Sequence, residues 1–407
     1  MSKKLIFIYR WLMWNVFSRP FVEIHLQRQY NYRSTPDSEP YPRAPFMVIS
    51  NHGTFFDPWM VGRDSKSPFA IMCNDDAFKA SPITVWYLNS IGAFPKKKGA
   101  SDFKAMKKTM NLIKSGYPVC IFPEGQTTWD GETQLIYRGI EKIIKRARCP
   151  LVLNRIKGNF LTKPWWAQTK RTGRILIHRT VLSADKIRDM SDEELFDTMK
   201  SSIYQNEVKD PDNRQTRFRG ERLAEGLERF FWHCPQCQQD DTLVTSGNEM
   251  KCSACTGCWQ VDPWCRITPA GSTSASQLED VHDWSVFHKK LVLDAVHQAR
   301  EGDILASGDK VVVQLRNRKE CFVDLCTGSL ELTRTHISFS GESASYSYTI
   351  ALDEIENSVI QKKDIFECTW RGTDYRFVFA GRSPMKWHLF VRYLRGYEQF
   401  DRQGYIQ

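Results

Sequence analysis

The sequence predicts an α/β domain, then a small metal ribbon, then a β-rich domain. Three observations predict it. Residues 20–205 alternate strand-like and helix-like runs, the pattern of an α/β layer fold. Two C-x-x-C pairs, Cys234-Pro235-Gln236-Cys237 and Cys252-Ser253-Ala254-Cys255, follow with fourteen residues between them. From Val311 to Phe379 short strand-like runs are punctuated by turn residues and closed by an amphipathic stretch. At 407 residues the chain has room for two or three domains. The expected divisions are 1–232, 233–265, a linker and helix over 266–300, and 301–407.

Lys3-Lys4 opens the chain and an apolar run, Leu5–Phe17, follows with Arg10 inside it. The run is shorter than the about 20 apolar residues that span a bilayer. Tyr9, Trp11 and Trp14 suit a helix lying in the headgroup interface. The other reading is a helix packed on the protein's own core. Strands are then expected at Val22–Leu26, Phe46–Ser50, Phe69–Met72, Val119–Phe122, Leu151–Ile156 and Arg174–Arg179. Helices are expected at Pro58–Gly62, Thr84–Ser90, Asp102–Lys114, Gly139–Arg148 and Asp192–Gln205. A charged helix is expected over Arg217–Trp232, with Leu223, Leu227 and Phe230 on one face.

Hydrophobic residues make up 41% of the chain, ordinary for a globular protein and too few for a multi-span membrane protein. The 57 Lys+Arg exceed the 47 Asp+Glu, giving +10 and favouring an anionic partner. The 12 cysteines include Cys73, Cys120 and Cys149 in apolar stretches, which read as small core residues. A disulfide framework is not expected in so long a chain without a signal peptide, so a reducing compartment is inferred.

The chemistry concentrates in Asn51-His52-Gly53-Thr54-Phe55-Phe56-Asp57 and in Phe122-Pro123-Glu124-Gly125, each after an apolar strand-like run. An imidazole takes a proton from an alcohol more readily when a carboxylate holds its tautomer and stabilises the imidazolium. His52 and Asp57 have the residue types and spacing for that pair. Asp57-Pro58 also reads as a helix cap followed by proline at the first helical position. No serine or cysteine nucleophile is evident beside them, which suggests direct attack by a substrate hydroxyl.

The order N-H-x-x-x-x-D, then G-x-F, then F-P-E-G resembles the glycerolipid acyltransferase family, typified by 1-acylglycerol-3-phosphate acyltransferase. The resemblance covers roughly the first 200 residues. It implies an α/β fold, His52 as general base and Asp57 as its orienting partner. It also implies an acyl-CoA or acyl carrier protein donor and a lysophospholipid acceptor. Gly92-Ala93-Phe94-Pro95-Lys96-Lys97-Lys98 resembles the second motif, with Lys98 where the family carries a phosphate-binding arginine. Glu124 and Gly125 fall on the third motif, which shapes the acceptor site. Gln126-Thr127-Thr128 departs from the family's Thr-Arg-Ser and puts a phosphate-bearing acceptor in question. Arg138-Gly139 matches a later basic–glycine pair. Cys149-Pro150-Leu151-Val152 resembles the fourth motif, and equally an ordinary buried strand. Backbone N–H groups near His52 or Gly125 are the candidates for stabilising an oxyanion.

Four thiolates from two tight knuckles suit the tetrahedral preference of zinc, so Cys234, Cys237, Cys252 and Cys255 read as a structural zinc ribbon. Cys258 or His233 is the fallback ligand, and a redox C-x-x-C is the other reading. Thr242–Thr245 and Glu249–Lys251 form the expected hairpin, turning at Gly247-Asn248. Thr268–Gln277 reads as a linker and Leu278–Ala299 as a helix. Strands follow at Val311–Leu315, Cys321–Leu325, Ser329–Thr333, His336–Ser340, Ser345–Ile350, Ile355–Gln361, Phe366–Trp370 and Tyr375–Phe379. Ser383-Pro384 then starts a helix bearing Trp387. This order resembles a pleckstrin-homology-like domain.

The expected function is acyl transfer to a lysophospholipid hydroxyl at the cytoplasmic face of a membrane, with zinc structural and no nucleic-acid partner. The alternatives are an inactive zinc-ribbon binding protein, whose ribbon loop Gln238-Gln239-Asp240-Asp241 is acidic, or an acyltransferase for a non-phosphate lipid acceptor.

Overall fold

The computed structural model of the chain describes residues 3–79, 81–96, 103–136, 138–271, 273, 277–317, 321–342 and 346–397. They form two compact units: 1–165 with 170–219, and 166–169 with 220–407.

The first unit is built on seven strands: β1 (Tyr32–Ser34), β2 (Met47–Ser50), β3 (Ala70–Asn74), β4 (Phe94–Lys96), β5 (Val119–Ile121), β6 (Leu151–Lys157) and β7 (Ile175–Leu182). They lie in the order β1-β7-β6-β2-β5-β3-β4. β6, β2, β5, β3 and β4 run parallel, and β7 returns antiparallel to β6. Central parallel strands are covered on both faces, so their runs are apolar throughout. Met47, Ile49, Val119, Ile121, Leu151 and Leu153 face one core. Val48, Cys120 and Val152 face the other. Cys120 is thus a core residue, as its apolar setting implied.

The helices are α1 (Lys3–Leu12), α2 (Arg19–Tyr30), α3 (Asp57–Gly62), α4 (Pro82–Ile91), α5 (Phe103–Lys114), α6 (Ile140–Ala147), α7 (Asn159–Thr162), α8 (Ala184–Asp189), α9 (Asp192–Ile203) and α10 (Pro211–Arg214). α5, α6 and α9 supply the first core, and α2, α3 and α4 the second.

Two expectations fail here. Val22–Leu26 is helical, within α2. Its alternation over five residues is too short to outweigh the helix entering from α1. The two helices join through a π-helical stretch, Met13–Ser18, just before Pro20. Proline removes an N–H and crowds the carbonyl four residues back, and a widened turn relieves both. The second failure is Arg217–Trp232, which holds only a short 3-10 turn, Leu227–Arg229. Gly226 has φ 103°, and a Cβ there would meet the Trp166 carbonyl at 2.1 Å. Leu223, Leu227 and Phe230 are nonetheless buried.

The second unit begins with a four-stranded antiparallel sheet: β8 (Leu243–Ser246), β9 (Glu249–Cys252), β10 (Cys258–Val261) and β11 (Ile267–Pro269). Gly247-Asn248 makes the two-residue turn between β8 and β9. α11 (Val281–Gln298) follows, with Val281, Trp284, His288, Val292 and Val296 buried. It is packed into the unit rather than acting as a spacer. Seven strands come next: β12 (Ala306–Arg316), β13 (Phe322–Leu332), β14 (His336–Gly341), β15 (Ser347–Ala351), β16 (Ile355–Gln361), β17 (Ile365–Trp370) and β18 (Thr373–Val378). Their order is β15-β14-β13-β12-β18-β17-β16. The strands expected at Cys321–Leu325 and Ser329–Thr333 are one strand, β13, because Gly328 stays in the ladder opposite Gly341. α12 (Pro384–Leu394) closes the chain's described part. Ser383 is its N-cap residue but makes no capping bond; its hydroxyl donates to the Phe230 carbonyl.

Candidate active site

Parallel strands of an open α/β sheet deliver their following loops to one edge, where ligands are commonly bound. β6, β2 and β5 are adjacent, and the segments leaving their carboxyl ends carry Asn159, His52 and Glu124. Asn51 extends the β2–β6 pairing with its side chain. Its Nδ2 donates to the Ile156 carbonyl at 2.8 Å, and its Oδ1 accepts from the Ile156 N–H at 2.7 Å. That fixes where His52 leaves the sheet.

His52 Nδ1 lies 2.9 Å from Asp57 Oδ2. Asp57 is fully buried, while the His52 side chain keeps 19% of its surface exposed. The same Oδ2 accepts from the N–H groups of Gly53 and Thr54 at 2.8 and 2.9 Å. Oδ1 accepts from Thr54 Oγ1 at 2.6 Å and from Asn159 Nδ2 at 3.1 Å. Asp57 is therefore the first residue of α3, with Phe56 at the cap and its own carboxylate turned back onto the loop. With Nδ1 committed to Asp57, Nε2 is the nitrogen left for a substrate proton.

The F-P-E-G loop grips the histidine from its other side. Glu124 Oε1 accepts from the His52 N–H at 2.6 Å and Oε2 from the Gln134 N–H at 2.6 Å. The Thr128 N–H donates to the His52 carbonyl at 3.0 Å. The Phe122 and His52 rings lie 4.4 Å apart between centroids. Burial pushes the Glu124 carboxyl well above its usual range, against the pull of its two backbone donors. Gly125 takes φ 73°, a left-handed conformation that a side chain resists.

Four of the backbone N–H groups around His52 and Gly125 already have acceptors. The amides of His52, Gly53 and Thr54 serve the two carboxylates, and that of Gly125 donates to the Phe122 carbonyl. Arg138 forms a two-pronged pair with Glu193, at 2.8 and 2.6 Å, and lies 3.9 Å over the Phe196 ring. The geometry thus gives it an acidic partner of its own. Lys98 lies outside the described residues. Asn159 and Gln134 were missed, because neither belongs to a motif that spacing alone marks; Thr54 and Thr128 lie inside the quoted segments, but spacing gave them no contact to make.

Cys234, Cys237, Cys252 and Cys255 bring their sulfurs within 4.8 Å of one another. Cys234 and Cys255 are 3.8 Å apart and Cys237 and Cys252 3.6 Å. The amides of Ala254 and Gly257 point at the Cys252 and Cys255 sulfurs at 3.4 Å. Four sulfurs converging on one point, with amides turned toward them, fit a tetrahedral thiolate-bound ion. Cys258 sits on β10 outside this group, and the His233 ring meets Asp240 at 2.7 Å. Neither fallback ligand is needed. Lys386 of α12 is buried and reaches Asp240 at 2.7 Å and Asp241 at 3.3 Å. His288 of α11 accepts from the Trp232 and His233 amides, and burial pulls its pKa down to about 3. The acidic ribbon loop thus faces a buried lysine.

Residues 30–155 match the family model described as Acyltransferase, so this stretch is an acyltransferase-family domain. A 1-acyl-sn-glycerol-3-phosphate acyltransferase of Arabidopsis thaliana, described as chloroplastic, is 25% identical over 40% of this chain and 44% of its own. One of Brassica napus, also described as chloroplastic, is 24% identical over 44% of this chain and 52% of its own. The chain spans about half the length of these curated relatives. A crystal structure of the 1-acyl-sn-glycerophosphate acyltransferase of Thermotoga maritima is 16% identical, with a TM-score of 0.37, over 49% of this chain and 94% of that one.

Proposed function

We propose that this chain is an acyltransferase that moves a fatty acyl group from coenzyme A or acyl carrier protein to the hydroxyl of a lysophospholipid such as 1-acylglycerol-3-phosphate. The observation that carries the reading is the 2.9 Å contact between His52 Nδ1 and a buried Asp57 inside the acyltransferase-family stretch. His52 Nε2 takes the proton as the acceptor oxygen attacks the thioester carbonyl. The C–O bond forms, the C–S bond breaks, and the leaving thiolate takes the proton back from Nε2. Asp57 holds the Nδ1–H tautomer and balances the imidazolium charge. Glu124 and Gly125 shape the acceptor loop, and Arg138 and Lys98 are assigned to the acceptor's anionic group.

The membrane side of the proposal draws on the N-terminal helices. Trp14 is 1% exposed, packed on Phe69, whereas Trp11 is 42% exposed. Leu5, Ile8, Leu12, Val16, Phe17, Phe21 and Ile24 are also exposed. One face joins the core and the other is left apolar, as in a helix seated in a bilayer surface. Among the described residues no helix is long and apolar enough to cross a membrane. The four cysteines hold a structural zinc, and the seven-stranded region with α12 is a pleckstrin-homology-like domain.

One observation favours a different acceptor. Thr128 stands in the segment where the family carries Thr-Arg-Ser, and its hydroxyl is spent on Asp130 at 3.1 Å. A lysolipid without a phosphate is the second reading. Incubating the protein with a lipid extract and labelled acyl-CoA, and in parallel with labelled acyl-acyl carrier protein, then identifying the product by mass, separates the two. Phosphatidic acid supports the first, an acylated neutral or amine lipid the second, and no acyl product rejects both.

A further inference from the structure

Asp57 is held by donors of two origins. Gly53 and Thr54 belong to its own turn, but Asn159 opens α7, the short helix that follows β6. Local donors fix the carboxylate relative to the turn. Only a donor anchored elsewhere fixes the turn's carboxylate relative to the sheet from which His52 emerges.

Three features show a built contact. Asn159 is fully buried, and its Oδ1 has no hydrogen-bond partner among the described residues. A buried amide kept with one end unsatisfied is costly, and an apolar side chain of similar size would pack more cheaply. Asn159 follows Gly158, whose φ of 92° turns the chain sharply off β6. Buried Glu207 then fixes that turn by accepting from the Phe160 and Leu161 amides at 3.2 and 3.0 Å. Finally, a Cβ on Gly53 would lie 2.6 Å from Asn159 Nδ2. The glycine after the histidine therefore makes room for this amide.

We infer that Asn159 is a positioning residue for acyl transfer, acting through Asp57 to keep the carboxylate on His52 Nδ1. The inference rests on His52 being the base proposed above. It also gives Gly53 a role in the site that is steric rather than conformational.

The test uses the full chain with Asn159→Ala, Asn159→Asp, Gly53→Ala and the Gly53→Ala/Asn159→Ala double variant. Acyl-transfer kinetics and the ¹⁵N shifts of the His52 ring are read, the latter assigned with His52→Gln. One hydrogen bond to a charged group corresponds to about ten- to a hundredfold. Asn159→Ala should lower kcat by about that factor with little change in KM, and should reduce the Nδ1–H tautomer signal. Asn159→Asp, nearly isosteric, should lose more, because a second carboxylate then faces Asp57. Gly53→Ala should be harmful alone and add little once Asn159 is alanine. Unchanged kcat and unchanged ring shifts in Asn159→Ala overturn the inference. So does a Gly53→Ala loss that is as large in the double variant. Should Asn159→Ala fail to fold, Asn159→Asp and Gly53→Ala carry the same readouts. If the wild type transfers no acyl group, the functional reading fails, and the ring shifts still decide the role of Asn159.

Discussion

The His52 site and the four-cysteine ribbon are both tight clusters of reactive side chains, but they are closed in opposite ways. The cysteines come from two short knuckles, and their four sulfurs converge so that a single tetrahedral ion would be closed off by them. The His52 site draws on the three segments that follow adjacent strands and leaves part of the imidazole exposed. A closed site does structural work, since no coordination position is left for a substrate. An open site does chemistry, because one nitrogen is held and the other is left free to act. Under the proposed function, stability falls to one cluster and turnover to the other.

The largest expected effect tests the structural half. Elemental analysis of protein purified without chelator should find one zinc per chain. Structural zinc in small finger peptides is worth roughly 10–16 kcal/mol, so Cys234→Ser should unfold the ribbon. Because Lys386 and His288 join the ribbon to α12 and α11, protease sensitivity should spread to those helices as well. A zinc-free protein with intact protection there would dissolve the comparison.

Next in size is a pH effect on the chemical half. Burial pushes the Glu207 carboxyl up from 4.5 to about 8, against its backbone donors. The unfolded chain ionises this group at lower pH than the folded one, so stability falls as pH rises from about 4.5 to about 8. Thermal melts of Glu207→Gln should lose that slope relative to wild type. An identical slope in both would remove Glu207 as its source.

Deleting residues 1–19 should weaken liposome flotation, with partial release of the intact chain by high salt, since apolar insertion and charge attraction both contribute. Unaltered flotation would move the attachment elsewhere. The smallest effect should come from Arg138→Ala. Its pair with Glu193 is exposed, and such pairs are worth about 0–1 kcal/mol. A change confined to the acceptor's KM would place Arg138 at the substrate, and no kinetic change would leave it as a surface pair.

The two clusters also differed in how well the sequence announced them. C-x-x-C pairs and His52-x-x-x-x-Asp57 are local, so chain spacing alone brings their atoms together. The strands β2, β5 and β6 were legible because central parallel strands are apolar on both faces. Asn159 was not legible, since its partner lies 102 residues away and only the parallel order of β6 and β2 joins them. Glu124 was found as a motif residue, but its use on two backbone amides needed coordinates. Val22–Leu26 misled because five alternating residues fit a strand and a helix equally, and the preceding helix decided between them. Arg217–Trp232 misled because its apolar spacing is helical while Gly226 bends the chain away.

The most direct test of the account is the rate of thiol release from acyl-CoA in the presence of lysophospholipid, compared between wild type and His52→Ala. General-base assistance is worth roughly 10²–10⁴-fold, and the variant should lose that much while its melting temperature stays near that of wild type. Equal rates for the two proteins would contradict His52 as the base and, with it, the division of labour between the open site and the closed one.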